Sequence, residues 1–204
     1  MSVGIPSDES LLAEFLQGKR DPFAVLVKRY ELPLLNFIYR YTQDREESED
    51  IFQETFLRVA KRARTFNPEM TFKTWLYTIA LNLCRTRAKR RLTMPLLASE
   101  QTGQDRDDRS SLESSAAPQS LPEMPISDRE LSGKIAEAVN CLSPKHREVF
   151  ILYQYQNFSY EEIARLLGRP LGTIKSQMHY AVAYLKDKLK DVIWHGEVSD
   201  NEKA

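Results

Sequence analysis

The stretch FSYEEIARLLGRPLGTIKS, Phe158 to Ser176, decides the fold of the second half of the chain. Ser159 stands three residues before Glu162, the spacing at which a hydroxyl and a carboxylate each satisfy a free amide at a helix start. Ala164, Gly168 and Ile174 fall where a helix-turn-helix needs a small residue for close crossing, a glycine for the turn and an apolar anchor for the second helix. Arg169-Pro170 closes the turn, and Leu171 to Leu185 reads as a recognition helix with Leu171, Gly172, Lys175, Ser176 and His179 pointing away from Ile174. Upstream, Leu131, Ile135, Ala138, Val139 and Leu142 share one helical face, and Ser143-Pro144 restarts a helix that continues to Tyr155, with serine as cap and proline at the first helical position. The pattern implies DNA binding, although a plain helical hairpin with solvated polar residues fits the same spacing. Many regulators carry one such unit, so it leaves the function open.

The first half is helical as well. No glycine lies between Lys19 and Thr102, where hairpin turns would normally require them, and prolines punctuate long uninterrupted stretches. Leu11, Leu12, Phe15 and Leu16 mark a short helix. Phe23, Leu26, Val27, Tyr30, Leu34, Phe37, Ile38 and Tyr41 mark a second, with a kink expected near Pro33. Asp44 before Glu47 has the spacing of a cap with its return partner, opening a third helix expected to bury Phe52, Phe56, Val59, Ala60 and Ala63. After the Asn67-Pro68 turn, Phe72, Trp75, Leu76, Ile79, Ala80 and Leu83 form an apolar stripe, and Thr71, Thr74, Thr78, Asn82, Arg85 and Lys89 a polar one. From about Thr93 to Ser127 the periodicity is lost in a segment rich in Ser, Pro, Gln and acidic residues, which cannot bury enough apolar surface to offset chain entropy. The fold class is therefore all-α, with two small helical domains joined by a flexible linker: 1–92, linker 93–127, 128–190, and a C-terminal tail 191–204.

Composition narrows the function. In 204 residues, 29 Lys plus Arg balance 29 Asp plus Glu, so a nucleic-acid partner must be met by a local basic patch. The two cysteines, Cys84 and Cys141, form neither a C-x-x-C pair nor a disulfide framework, and buried or partly buried thiols are the expectation. His146, His179 and His195 stand in no metal-binding or nucleophilic spacing with cysteines or carboxylates, so neither a metal, a cofactor nor an enzyme activity is proposed. No apolar run approaches the roughly 18 to 20 residues that span a bilayer, and the first ten residues lack a leader's pattern; a soluble, cytoplasmic protein without membrane insertion is expected.

Three stretches, Asp50 to Val59, Phe72 to Asn82, and Leu142 through the helix-turn-helix to Ser176, resemble the extracytoplasmic-function (ECF) sigma factors of the sigma-70 superfamily, and with the linker they cover nearly the whole chain. The resemblance implies a bacterial transcription initiation factor. In it the first domain is sigma region 2, which binds core RNA polymerase and melts the minus-ten element, and the second is region 4, which reads the minus-thirty-five element. It implies as partners the beta-prime clamp helices and beta flap of core polymerase, promoter DNA, and an anti-sigma factor. The competing reading is a stand-alone helix-turn-helix regulator that does not engage core polymerase.

The residues suit those roles. Asp50, Gln53 and Glu54 form an exposed stripe opposite Phe52, Phe56 and Val59, and the resemblance docks it on the clamp helices; such an acidic stripe would repel DNA. Five of the seven residues from Arg85 to Arg91 are basic and continue the Thr78, Asn82 stripe, which places Arg85, Lys89 and Arg90 on phosphates. The loop Arg64 to Met70 resembles the family loop that captures an unstacked base, with Asn67 in it and Asn82 nearby as a polar reader. Trp75 is expected in the core. For the minus-thirty-five element the candidates are Leu171, Gly172, Thr173, Lys175, Ser176 and His179. Two departures stand out: Gln177, Tyr180 and Val182, and separately Thr78, occupy places where basic residues are common in the family, so fewer phosphate contacts are expected.

Overall fold

The computed structural model describes residues 5–98 and 126–190. Its helices are α1 (Asp8–Leu16), α2 (Asp21–Thr42), α3 (Arg45–Arg62), α4 (Phe72–Ala98), α5 (Ile126–Asn140), α6 (Pro144–Gln154), α7 (Tyr160–Leu167) and α8 (Leu171–Lys188), with a 3-10 turn at Ala63–Thr65. No strand occurs among the described residues. The chain divides into two compact units, Met1–Ser115 and Ala116–Ala204. Most of the linker and all of the C-terminal tail lie outside the described residues. α4 nevertheless runs on to Ala98, past the start expected for the linker, and α5 begins at Ile126.

In the first unit α2 packs on α1, α3 and α4 through Leu26, Tyr30, Leu34, Phe37 and Ile38, all buried. Pro33 is exposed, and α2 continues through it to Thr42. Bonds between residues far apart in the chain hold the helix ends. Asp8 of α1 bonds both Arg29 and Tyr30 of α2, and burial first, then that carboxylate, pushes the Tyr30 phenol well above its ordinary range. The Glu9 carboxylate accepts the Phe72 N–H at 2.9 Å and so caps α4. Asp44 caps α3 as its spacing predicts, accepting the Glu47 N–H at 2.9 Å. The Glu47 carboxylate goes instead to Arg91 of α4 (2.7 Å), which also reaches Asp44 (3.2 Å).

Two helix faces differ from expectation. α3 buries Ser48, Ile51, Thr55, Phe56 and Val59, while Phe52 and Ala60 are only half-buried. Thr55 enters the core because its hydroxyl donates to the Ile51 carbonyl at 2.7 Å, which removes the cost of a bare buried hydroxyl. On α4, Thr74 is buried, satisfied by the Thr71 hydroxyl at 2.8 Å, and Trp75 is half-buried. Tyr77 and Leu81 are fully enclosed, so the core wraps further round α4 than one stripe.

The second unit is built on local devices. Both bonds of the capping box at Ser159 and Glu162 form, at 2.8 and 3.2 Å. Gly168 ends α7 in the left-handed region at φ 64°, where a side chain is strained and glycine is not. Ile174 is fully buried as the anchor, with Met178, Ala181 and Leu185 behind it. Ser143 precedes α6, but its hydroxyl bonds the Nδ1 of His146 at 2.9 Å rather than a backbone amide. Ala138, Val139 and Leu142 are buried, whereas Ile135 is half-buried and Leu131 exposed, so the predicted face of α5 is covered only toward its C-terminal end. Cys84 is buried; Cys141 is exposed, against expectation, because it lies in the turn after α5 rather than on the packed face.

Candidate nucleic-acid and protein interfaces

The outer face of α8 carries Gly172, Lys175, Ser176, His179 and Tyr180, all exposed. Leu171 departs from the outward position expected of it. Three residues before Ile174, it shares the inner side of the helix and is half-buried, as is Thr173 at the flank. The N–H groups of Thr173 and Ile174 bond the Pro170 carbonyl, while Leu171 and Gly172 open the helix with amides that have no turn before them to bond. A β-carbon added at Gly172 would meet nothing within 4 Å, so this end of α8 is open to a phosphate.

Arg169 holds α8 in place. Its guanidinium donates to Glu148 of α6 at 3.0 Å and to Gln177 of α8 at 3.2 Å, tying the turn to both helices. Glu148 is buried, so the pair is a shielded one. Gln177 is thereby engaged inside the unit, which explains its departure from a basic residue. The spacing of Arg169 gave no hint of this, since Glu148 is twenty-one residues away.

On α3, Asp50 and Gln53 are exposed, and Leu57, one turn beyond Gln53, is exposed with them. Glu54 is half-exposed and accepts a 2.7 Å bond from Arg58. That bond first, then the charges of Arg58, Lys61 and Arg87, holds its carboxyl below the ordinary range. The stripe is thus acidic at Asp50 and charge-compensated at Glu54.

Along α4, Trp75, Thr78, Asn82, Thr86 and Lys89 follow at three- and four-residue steps and stay wholly or partly exposed. Arg85 is half-buried, and Lys89 and Arg90 are exposed. Arg91 is drawn to Asp44 and Glu47, and so serves the α3–α4 junction. The loop after α3 rests on the first turn of α4 through Phe66, whose ring lies 5.2 Å from that of Trp75 and 6.5 Å from that of Phe72. Asn67 shapes that loop, its Oδ1 accepting the Glu69 N–H at 3.0 Å. Asn82 lies ten residues beyond Phe72, about 15 Å along the helix, exposed on the outer stripe. Trp75, by contrast, stands beside the loop on the accessible stripe, a position its apolar character hid.

Among the described residues, no group of histidines, cysteines and carboxylates is placed to hold a metal ion.

Residues 26–92 match the family described as Sigma-70 region 2, and residues 132–185 the family described as Sigma-70, region 4. The ECF RNA polymerase sigma factor SigW of Bacillus subtilis is 31% identical over 176 residues, covering 86% of this chain and 93% of its own. The RNA polymerase sigma-H factor of Pseudomonas aeruginosa is 27% identical, covering 85% and 89%. Among solved structures, the sigma factor RpoE of Bartonella quintana, in complex with the anti-sigma factor NepR, superposes with a TM-score of 0.60 at 25% identity, covering 80% of this chain and 95% of that one. CnrH, in complex with the cytosolic domain of CnrY, superposes at 0.65 with 21% identity, over 91% and 99%, a likeness of fold.

Proposed function

The chain belongs to the sigma-70 family as an ECF sigma factor, and from that premise we infer that it is a transcription initiation factor that binds core RNA polymerase and directs it to promoter DNA. The observation that carries this is the pairing, in one chain, of a region 2 match over the helical bundle with a region 4 match over the helix-turn-helix. A stand-alone regulator has no use for the first. Within this reading, residues 1–92 take the region 2 role, 128–190 the region 4 role, and 93–127 the linker between them.

Asp50, Gln53 and Glu54 dock on the clamp helices of the polymerase, with Leu57 as an apolar neighbour. Only Asp50 brings a carboxylate free of the Arg58 bond, so it supplies most of the charge complementarity. Asn82, Arg85, Lys89 and Arg90 meet the minus-ten DNA along α4, and Asn67 acts by holding the shape of its loop. Gly172, Thr173, Lys175, Ser176 and His179 meet the minus-thirty-five element from α8, Leu171 contributing its amide rather than its side chain. An anti-sigma factor, the class of partner present in the RpoE–NepR complex, and the beta flap complete the protein partners. No described helix is long and apolar enough to cross a membrane, in keeping with action beside the polymerase in the cytoplasm.

Reconstitution tests the reading. Purified protein added to core polymerase should yield run-off transcripts from promoters selected out of a randomised library, with no other sigma factor present. Reversing charge at Asp50 and Glu54 should abolish co-purification with core polymerase while the helical fold is kept. A folded double variant that still binds core polymerase would overturn the docking assignment.

A further inference from the structure

The ring of Tyr180 on α8 lies on the imidazole of His146 at the start of α6, with centroids 4.4 Å apart and planes 27° from parallel. His146 is itself held through Nδ1 by the Ser143 hydroxyl at 2.9 Å. Partial burial, and then Lys145, keep this imidazole below the usual histidine pKa, so the stack at neutral pH is between two uncharged rings. Tyr180 nonetheless remains 59% exposed, and among the described residues none is bonded to its hydroxyl.

Its place on the helix is what gives this pair a use. Residues four apart form ridges along a helix. Lys175 and His179 lie on one outward ridge of α8; Gly172, Ser176 and Tyr180 form the next. The second ridge starts at the open amide end suited to a phosphate. An exposed phenol held by stacking two turns further on the same ridge is a neutral donor on the face that also carries the open helix start.

We propose that Tyr180, oriented by stacking on His146, donates its hydroxyl to a DNA backbone phosphate of the minus-thirty-five element, with His146 as a positioning residue that does not itself touch DNA. The proposal rests on α8 being the recognition helix. It gives the tyrosine a gripping role where the sequence departure had implied a lost contact. Because the donor is neutral, no counterion is released by this bond, and it strengthens all sequences alike.

The test uses holoenzyme reconstituted from the full chain and core polymerase, with the tightest duplex selected by the parent from a randomised promoter library as probe. Y180F keeps the ring and removes the donor. It should weaken binding about tenfold, as expected for a bond to a charged acceptor. The loss should be uniform across the library, and the salt dependence should not change. H146A should weaken binding about threefold by freeing the ring, and should add nothing in the Y180F background. Parental binding by Y180F overturns the proposal, as does a loss confined to one base position. A full H146A loss persisting in Y180F overturns the positioning role. If K175A also binds like the parent, the assignment of α8 as recognition helix has failed and takes the tyrosine contact with it.

Discussion

The two units hold their working helices in opposite ways. In the helix-turn-helix unit the orienting bonds mostly join near neighbours: Ser159 with Glu162, Arg169 with Gln177, and a left-handed glycine at the turn. In the N-terminal bundle they cross the chain, Glu9 to the start of α4 over 63 residues and Arg91 to Asp44 over 47. The helix-turn-helix sets one ion pair with a buried carboxylate at its turn, whereas the bundle places several part-buried and exposed ties around a large apolar core. The same type of contact, Arg to carboxylate, therefore weighs differently in the two places.

Substitution at the two arginines should expose that difference most. Arg169→Ala removes a charge-assisted bond from the enclosed Glu148 and should destabilise the second unit by about 2 kcal/mol, read as lost hydrogen-exchange protection in α6 to α8 while α2 to α4 keep theirs. Replacing both partners by apolar residues, Arg169→Met with Glu148→Leu, should recover most of the loss. A shift of only a few tenths from Arg169→Ala would show that the pair is no clamp.

Next in size is the turn. Gly168→Ala meets open space, so only backbone strain opposes it, and the cost should be about 1 to 2 kcal/mol in denaturant unfolding of the second unit. A neutral outcome would mean that the turn relaxes and that the local device is dispensable.

In the bundle, Arg91→Ala should cost less than about 1 kcal/mol by the same measurement, because its side chain is half in solvent and its pairs are screened. An effect as large as that of Arg169→Ala would erase the contrast.

The smallest expected quantity is a coupling. If Asn67 only shapes its loop while Asn82 meets DNA from α4, the effects of Asn67→Ala and Asn82→Ala on open-complex formation should add within about 0.5 kcal/mol. Coupling well above that would place both on one base and contradict this division of roles.

What was legible in the sequence follows the same division. Ser159, Glu162, Gly168 and Ile174 could be assigned from spacing because each acts within a turn or two of its partner, and the structure puts all four in their expected roles. Leu171 lies three residues before the anchor Ile174 and is half-buried, a relation that its place at the outward start of the helix does not reveal. Thr74 and Trp75 show the limit of residue character as a guide: a threonine enters the core once its hydroxyl is satisfied, and a tryptophan stays at a rim where another ring can cover one side. The Asp44 cap is readable, but its expected return partner, Glu47, turns to Arg91, the last residue of the basic run that starts at Arg85.

Helical class, the two-unit order and the family thus came from the chain's own pattern, since periodicity and capping are local chemistry that each segment carries wherever it lies. Tertiary structure alone decided which charges remain available, with Arg91 and Glu54 compensated inside the bundle and Asp50 left outward. It also decided which exposed residue is held still, as His146 holds Tyr180 from another helix. The physical reason is that burial and charge pairing depend on distance in space, and residues from 21 to 63 positions apart become neighbours only when the helices pack.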